Sequence, residues 1–374
     1  MPPLSGLRVV DLSRVLAGPY AAQILGDLGA DVIKIEHPHG DDTRRWGPPE
    51  HDGTAAYYLA ANRNKRSRVL DFSRADDRAA LHALLAGADV LIENFKVGDL
   101  ARHGLDFASL HPQYPRLVYC SITGFGQTGP LAPRAGYDAL IQAMAGLMSV
   151  TGPDPEHPSK VGVAVADLST GLHAVIAVLA ALRERDRSGL GQHIDLALFD
   201  VQVSGLANLG MNFLCTGEVP RPLGNAHPTI VPYQSFATAD RPIMLAVGND
   251  AQFRGLCEAL GEPQWADDPR FASNPARVRH REQLVPMISS KLSERPREHW
   301  LVRLAGTGAP HGPIQDLGEL ADDPQVRARG LFTTMDDGHT PCLKNPIGLS
   351  RTPIEEYRRP PALGEHPDAT WDEP

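Results

Sequence analysis

Leu7-Arg8-Val9-Val10-Asp11-Leu12, then Pro19 to Leu28, then Asp31-Val32-Ile33-Lys34-Ile35-Glu36 are the stretches whose reading decides the fold. The first and third are short apolar runs of strand length, and the second has helical spacing with Gly29 at its end. The same alternation continues: Ala79 to Ala86 reads as a helix, Asp89 to Glu93 and Arg116 to Ile122 as strands, Asp138 to Val150 and Leu168 to Arg185 as helices, and Gln192 to Phe199 as a strand. Strand–helix–strand alternation specifies an α/β fold with a parallel sheet covered by helices.

Working outward, the texture changes after about Gly217, where Pro, Gly and polar residues dominate GEVPRPLGNAHPTIVP. Strand-like runs follow at Tyr233 to Thr238 and Pro242 to Val247, with helices near 250–260, 278–293 and 296–305. This reads as a smaller α+β domain over 216–330. The large domain then comprises 1–215, with 331–374 packing back on it. A chain of 374 residues suits two domains at roughly 150 residues each. Between Gly40 and Lys65 the polar stretch GDDTRRWGPPEHDGTAAYYLAANRNK is too long for a simple connection and reads as a functional loop.

Composition narrows the function. A net charge of −9 provides no global basic field for nucleic acid or an anionic membrane, although a local basic pocket for a small anion stays open. Cys120, Cys215, Cys257 and Cys342 are scattered without a C-x-x-C pair, which points to free thiols in a reducing cytoplasm rather than zinc or disulfides. The N-terminus lacks a signal-peptide pattern, and no run approaches 18 uninterrupted apolar residues, so no membrane span is expected.

Gly124-Phe125-Gly126-Gln127-Thr128-Gly129 matches G-x-G-x-x-G after a strand. A dinucleotide site needs a helix to open there, but Pro130 and Pro133 follow and no ribose-binding acid appears about 20 residues on. The better reading is a glycine loop whose backbone must approach something closely. Phosphate-loop, H-E-x-x-H and G-x-S-x-G patterns are absent.

Eight segments occur in one order: DLSRVLAGP, LGDLGADVIKIEHP, NRNKRS, VLIENF, SITGFGQTGP, RAGYDALIQAMAGLMSVTG, VADLSTGLHAVIAVLAAL and GQHIDLALFD. In this combination the chain resembles the class III CoA-transferases, the family of formyl-CoA transferase and carnitine CoA-transferase, from about Leu4 to His366. The resemblance implies a Rossmann-like large domain, an interlocked homodimer, no tightly bound cofactor, and coenzyme A thioesters and free carboxylic acids as substrates. It implies that Asp167, in VADLSTG, is the nucleophile that carries CoA as an aspartyl thioester. By position, Asp167 precedes an apolar helix, where the macrodipole favours an anion and a plain N-cap is the alternative role.

The resemblance also places Leu16, Ala17, Asn94, Phe95, Arg102, Tyr137 and Asp138 against CoA. Tyr137 stands where the racemases of the same fold carry a histidine. A tyrosine is a poor proton shuttle near neutral pH, so transfer is favoured over α-methylacyl-CoA racemisation. Leu16 replaces a glutamine common in formyl-CoA transferases, and GNAHPTIVPY stands where that group has a glycine-rich flap, which argues against formyl-CoA:oxalate exchange. GDDTRRWGPP, the YYL and NRNK pieces and the IVPYQ region look like the succinate–hydroxymethylglutarate (succinyl-CoA:glutarate) group, which implies a dicarboxylate acceptor. Arg44, Arg45 and His227 are the candidates for its second carboxylate. A nicotinamide oxidoreductase and a non-catalytic CoA-binding protein are the readings from other classes.

Overall fold

A computed structural model of the chain describes residues 1–371. Residues 1–147, 160–218 and 324 onward form one unit, and residues 148–159 with 219–323 form the other. The junctions expected after 215 and 330 thus fall after 218 and 323, and 148–159 joins the smaller unit.

In the first unit, β1 (Arg8–Asp11), α1 (Ala17–Asp27), β2 (Asp31–Glu36), β3 (Arg66–Val69), α2 (Ala75–Leu85), β4 (Val90–Glu93), β5 (Val118–Thr123), α3 (Asp138–Met144), α4 (Val165–Ser188) and β6 (His193–Ala197) appear in that order. The strands make one sheet, β3-β2-β1-β4-β5-β6, with every pairing parallel. This is the doubly wound order, whose direction of winding reverses between β1 and β4.

Period-2 alternation sorts the strand side chains onto two covered faces. Val9, Val32, Val90, Val118 and Ile122 pack under α1 and α4. Val10, Ile33, Leu91 and Tyr119 pack on the other face with Leu81, Leu84 and Leu85 of α2. Each such residue contributes about 1.5–3 kcal/mol by leaving water. β3 was not legible as a strand: its residues Arg66-Ser67-Arg68-Val69 carry two cations at the sheet edge. The expected helix over 138–150 breaks after Met144, where Gly146 takes φ +87°. α4 has the length and apolar character of a membrane span, but its Ala174, Val178 and Ala181 side is buried in the core of this unit.

The smaller unit holds an antiparallel sheet of Tyr233–Phe236, Ile243–Ala246 and His311–Pro313. Its core gathers Ile243, Leu245, Phe253, Leu256, Leu284, Ile288 and Trp300.

Candidate active site

The C-terminal ends of β1, β4 and β5 converge where the winding reverses, the place at which open α/β sheets bind ligands. A cavity of about 190 Å³ opens there, lined by the 14–17 loop, residues 94–97, the Gly124 and 132–137 segments, and Asp167. Each wall is fixed from beneath.

The loop after β1 is held by buried charge. Lys65 Nζ lies 2.9 Å from Asp11 Oδ2, 2.8 Å from the Pro19 carbonyl and 3.0 Å from Asn62 Oδ1. Lys34 Nζ donates to the Ser13 carbonyl at 2.7 Å and sits 3.0 Å from Asp41 Oδ2. Both ammonium groups are fully buried, and burial brings Lys65 down to about 8 although Asp11 opposes the shift. Above them Val15 adopts φ +71°, a conformation rare for a β-branched residue. Neighbours hold it there: the Val15 N–H donates to Asp41 Oδ1 at 3.3 Å, and Asn94 pairs with both backbone groups of Arg14, at 2.9 and 2.7 Å.

The glycine loop after β5 closes on itself. A Cβ on Gly136 would stand 2.6 Å from the Gly124 Cα, and one on Gly124 would stand 2.6 Å from the Gly136 backbone. The close approach expected of this motif is thus to its own returning chain around Gly136. It leaves Tyr137, 66% exposed, at the cavity edge immediately before α3.

α4 brings in Asp167 within its first turn. Asp167 does not cap the helix. That task falls to Asp138, whose Oδ1 accepts the Ala166 N–H at 2.8 Å and whose Oδ2 accepts from Gln142 Nε2 at 2.7 Å. Gln142 in turn accepts the Val161 N–H at 2.8 Å, fixing the chain that enters the helix. Burial, and then the like charge of Asp138, push the Asp167 carboxyl up to about 7. The dipole effect expected from the helix start is present in the geometry but is outweighed.

A second cavity of about 430 Å³ lies over β1 and β2 and shares Arg14, Phe95 and Asp99 with the first. Together they carry Arg14, Lys96 and Arg134 near Asp167, and His37, Arg102 and His103 farther along. The lining of the first cavity contains no histidine or cysteine, and its carboxylates are Asp99 and Asp167.

Leu16, Ala17, Asn94, Phe95, Tyr137 and Asp167 therefore meet in one cavity, and Arg102 lines the next. Arg102 is 66% exposed and paired with Asp99 at 2.6 Å. Asp138 lies outside the lining with both carboxylate oxygens engaged. Arg44 is also committed elsewhere: it binds Glu36 through two nitrogens at 2.9 and 2.7 Å, the Tyr58 hydroxyl at 2.5 Å and the Pro361 carbonyl at 3.1 Å. Arg45 donates to the His39 carbonyl and pairs with Asp42. His227 belongs to the smaller unit, where it packs on Tyr233. Sequence reasoning missed Arg14, Lys96 and Arg134. Their signal was adjacency to the recognised DLS, ENF and GYD pieces. It also missed Tyr57, whose hydroxyl is pushed up to about 12 by burial and then by Asp167 and Asp138.

The model of CoA-transferase family III matches residues 4–367. The chain belongs to CoA-transferase family III. It is an enzyme that transfers coenzyme A, and an acyl-CoA thioester is its substrate. It is 52% identical over 375 residues to a succinate–glutarate CoA-transferase of Agrobacterium fabrum, covering 98% of this chain and 94% of that protein. It is 40% identical over 368 residues to the human succinyl-CoA:glutarate CoA-transferase, covering 97% and 84%. A crystal structure of a CAIB/BAIF family protein from Brucella suis superposes with a TM-score of 0.89 at 49% identity, covering 98% and 97% of the two chains. In this family III CoA-transferase the two cavities share lining residues, with Arg14, Lys96, Arg134 and Arg102 among their cations and Asp167 among their carboxylates.

Proposed function

We propose that this CoA-transferase moves CoA from succinyl-CoA to a dicarboxylic acid such as glutarate through a thioester on Asp167. The relatives named succinyl-CoA:glutarate CoA-transferases support the substrates. The observation that carries the mechanism is the Asp167 carboxyl, placed in the switch-point cavity where burial makes it a stronger base and nucleophile than an exposed aspartate.

An ionised Asp167 oxygen attacks the thioester carbonyl of succinyl-CoA. The C–S bond breaks, giving a mixed anhydride and CoA thiolate. The thiolate attacks the aspartyl carbonyl, the anhydride C–O bond breaks, and succinate leaves. The acceptor carboxylate then attacks the aspartyl-CoA thioester and the same steps run in reverse. No proton is gained or lost overall. Leu16, Ala17, Phe95 and Tyr137 line the acyl and pantetheine path. Arg14, Lys96 and Arg134 face the pyrophosphate, and Arg102 the nucleotide end in the neighbouring cavity. Asn94 and Asp138 act as positioning residues, through Arg14 and through the start of α4.

A second copy of the chain, interlocked with the first, covers apolar surface that one copy leaves in water. Leu172 and Ile176 on α4 are 49% and 63% exposed, and Met211 and Leu214 on the helix Ala207–Thr216 are 56% and 75% exposed. We place the enzyme in the cytoplasm, a reading supported by its four free thiols.

Incubation with succinyl-CoA and glutarate should yield glutaryl-CoA by mass spectrometry. The Asp167→Ala chain should bind CoA and form none, and hydroxylamine added during turnover should mark Asp167. Acyl exchange that persists in the alanine variant would refute the reading. Exchange of an α-proton with deuterated water in place of CoA transfer would point to a racemase.

A further inference from the structure

We propose that His51, Asp52 and His339 form a surface site for one divalent transition metal ion, with Zn²⁺ as the ion their donors suit. His51 and Asp52 sit on a tight hairpin, Glu50–His51 against Thr54–Ala55, whose corner residues Asp52 and Gly53 both take positive φ (49° and 74°). That corner suits a two-residue turn with both central residues left-handed, and it fixes where the Asp52 side chain begins. His339 comes from the turn joining Phe332–Thr334 to Pro341–Leu343. The Asp337 carboxylate locks that turn by accepting the backbone N–H of His339 at 3.1 Å and of Thr340 at 2.9 Å.

The two turns bring three donor atoms within 4.8 Å of one another. His339 Nε2 lies 2.5 Å and His51 Nε2 3.8 Å from Asp52 Oδ2, and the two imidazole rings are 5.5 Å apart. His51 Nε2 is shut off from solvent and has no hydrogen-bond partner, a condition that calls for an explanation in a folded protein. An ion between the three groups supplies it.

Without an ion the His339 Nε2–H donates to Asp52, and an ion would take that proton's place; the Asp337 carbonyl and Oδ1, 3.5 and 3.7 Å from Nδ1, stand where they could then hold the imidazole from behind. Two imidazoles and a carboxylate are borderline donors that suit zinc, with water as a fourth ligand. Around a tetrahedral Zn²⁺ with bonds of about 2.0 Å, donor atoms stand about 3.3 Å apart. The 2.5 Å contact must therefore open and the 3.8 Å contact close, each by under an ångström, and the two imidazole nitrogens, within 4.8 Å of each other, must draw together by up to about 1.5 Å, on two surface turns. None of the three residues lines the Asp167 cavity. The hairpin runs directly into the Ala56–Leu59 helix, so a bound ion would staple that loop to the 332–343 hairpin.

Protein stripped with EDTA and titrated with ZnCl₂ in a calorimeter should take up one ion per chain. Co²⁺ in its place should give a visible absorption band, and the melting temperature should rise with Zn²⁺ concentration. His51→Ala, His339→Ala and Asp52→Asn should each weaken Zn²⁺ binding at least tenfold, and Asp337→Asn by about 10–100-fold through the outer support. His157→Ala, which removes a separate exposed His–Asp pair, should bind as the unaltered chain does. Melting of each metal-free variant reads folding independently. Absence of stoichiometric uptake by the unaltered chain overturns the proposal, as does uptake that survives in folded His51→Ala and His339→Ala chains.

Discussion

At Asp167 two effects compete. The start of α4 favours the anion by about 0.3–1 kcal/mol, while burial and Asp138 disfavour it and win, leaving the carboxyl near 7. Because the ionised form is the nucleophile, kcat/KM for succinyl-CoA should rise with pH through about 7, level off above it, and fall about tenfold per unit well below it. Asp138→Asn removes the repelling charge and keeps an acceptor for the Ala166 N–H. The rising limb should therefore move to lower pH, and an unmoved limb would show that Asp138 does not set it. That Asp167, Leu16 and Ala17 share one cavity was legible because each sits inside an ordered local motif. The fate of Arg44 was not, because it is decided by Glu36 and by Pro361, which lies 317 residues away. The same arithmetic hid Asp138: its partner Ala166 is 28 residues on, so nothing local distinguishes a CoA contact from a helix cap.

Individual elements explain why some motifs carry chemistry and others carry shape. NRNKRS proves to be a tether: Arg63 and Asn64 bind Asp27, Lys65 binds Asp11, Arg66 binds Asp31 and Ser67 binds Glu36. Its cations pair with the fold's own carboxylates, and without an apolar run β3 carried no strand signal. The glycine pair offers a sharper test. Gly136→Ala puts a methyl 2.6 Å from backbone that cannot step aside, so the loop should lift and kcat/KM fall at least about 100-fold, as a misplaced wall of about 1 Å can cost. Near-normal turnover would show the contact to be dispensable. At the end of β4, burial pushes Glu93 up to about 7 against the opposing bonds from Ser121 and the Phe95 N–H. A carboxyl raised in the folded state binds its proton more tightly there, so its stabilising effect is full at low pH and lost as pH rises from its ordinary 4.5 through about 7. Glu93→Gln should accordingly gain up to about 3 kcal/mol relative to the native chain at pH 8, and little at pH 5. Denaturant melts at the two pH values decide it.

On the scale of the whole molecule, apolar surface on α4 and on Ala207–Thr216 predicts assembly. The chain should sediment at twice its monomer mass, and Ile176→Asp with Leu214→Asp should shift it toward the monomer; an unshifted double variant would place the interface elsewhere. The doubly wound sheet was legible because its strands are buried on both faces and so read as plain apolar runs. The division at 148–159 was not, since a short polar segment gives no sign of the unit it joins. The site-bearing unit is gathered from three separated stretches, and the last of them is not decorative: Asn345 binds the buried Asp27 at 2.9 Å, and Tyr357 lies under Arg63. Synthesis runs from the N-terminus, so Asp167 emerges from the ribosome more than 150 residues before those partners do. The nascent chain thus carries Asp167 in an unfinished framework until translation is nearly over, and a message truncated before residue 324 would leave the buried Asp27 without Asn345 and Arg63 without Tyr357.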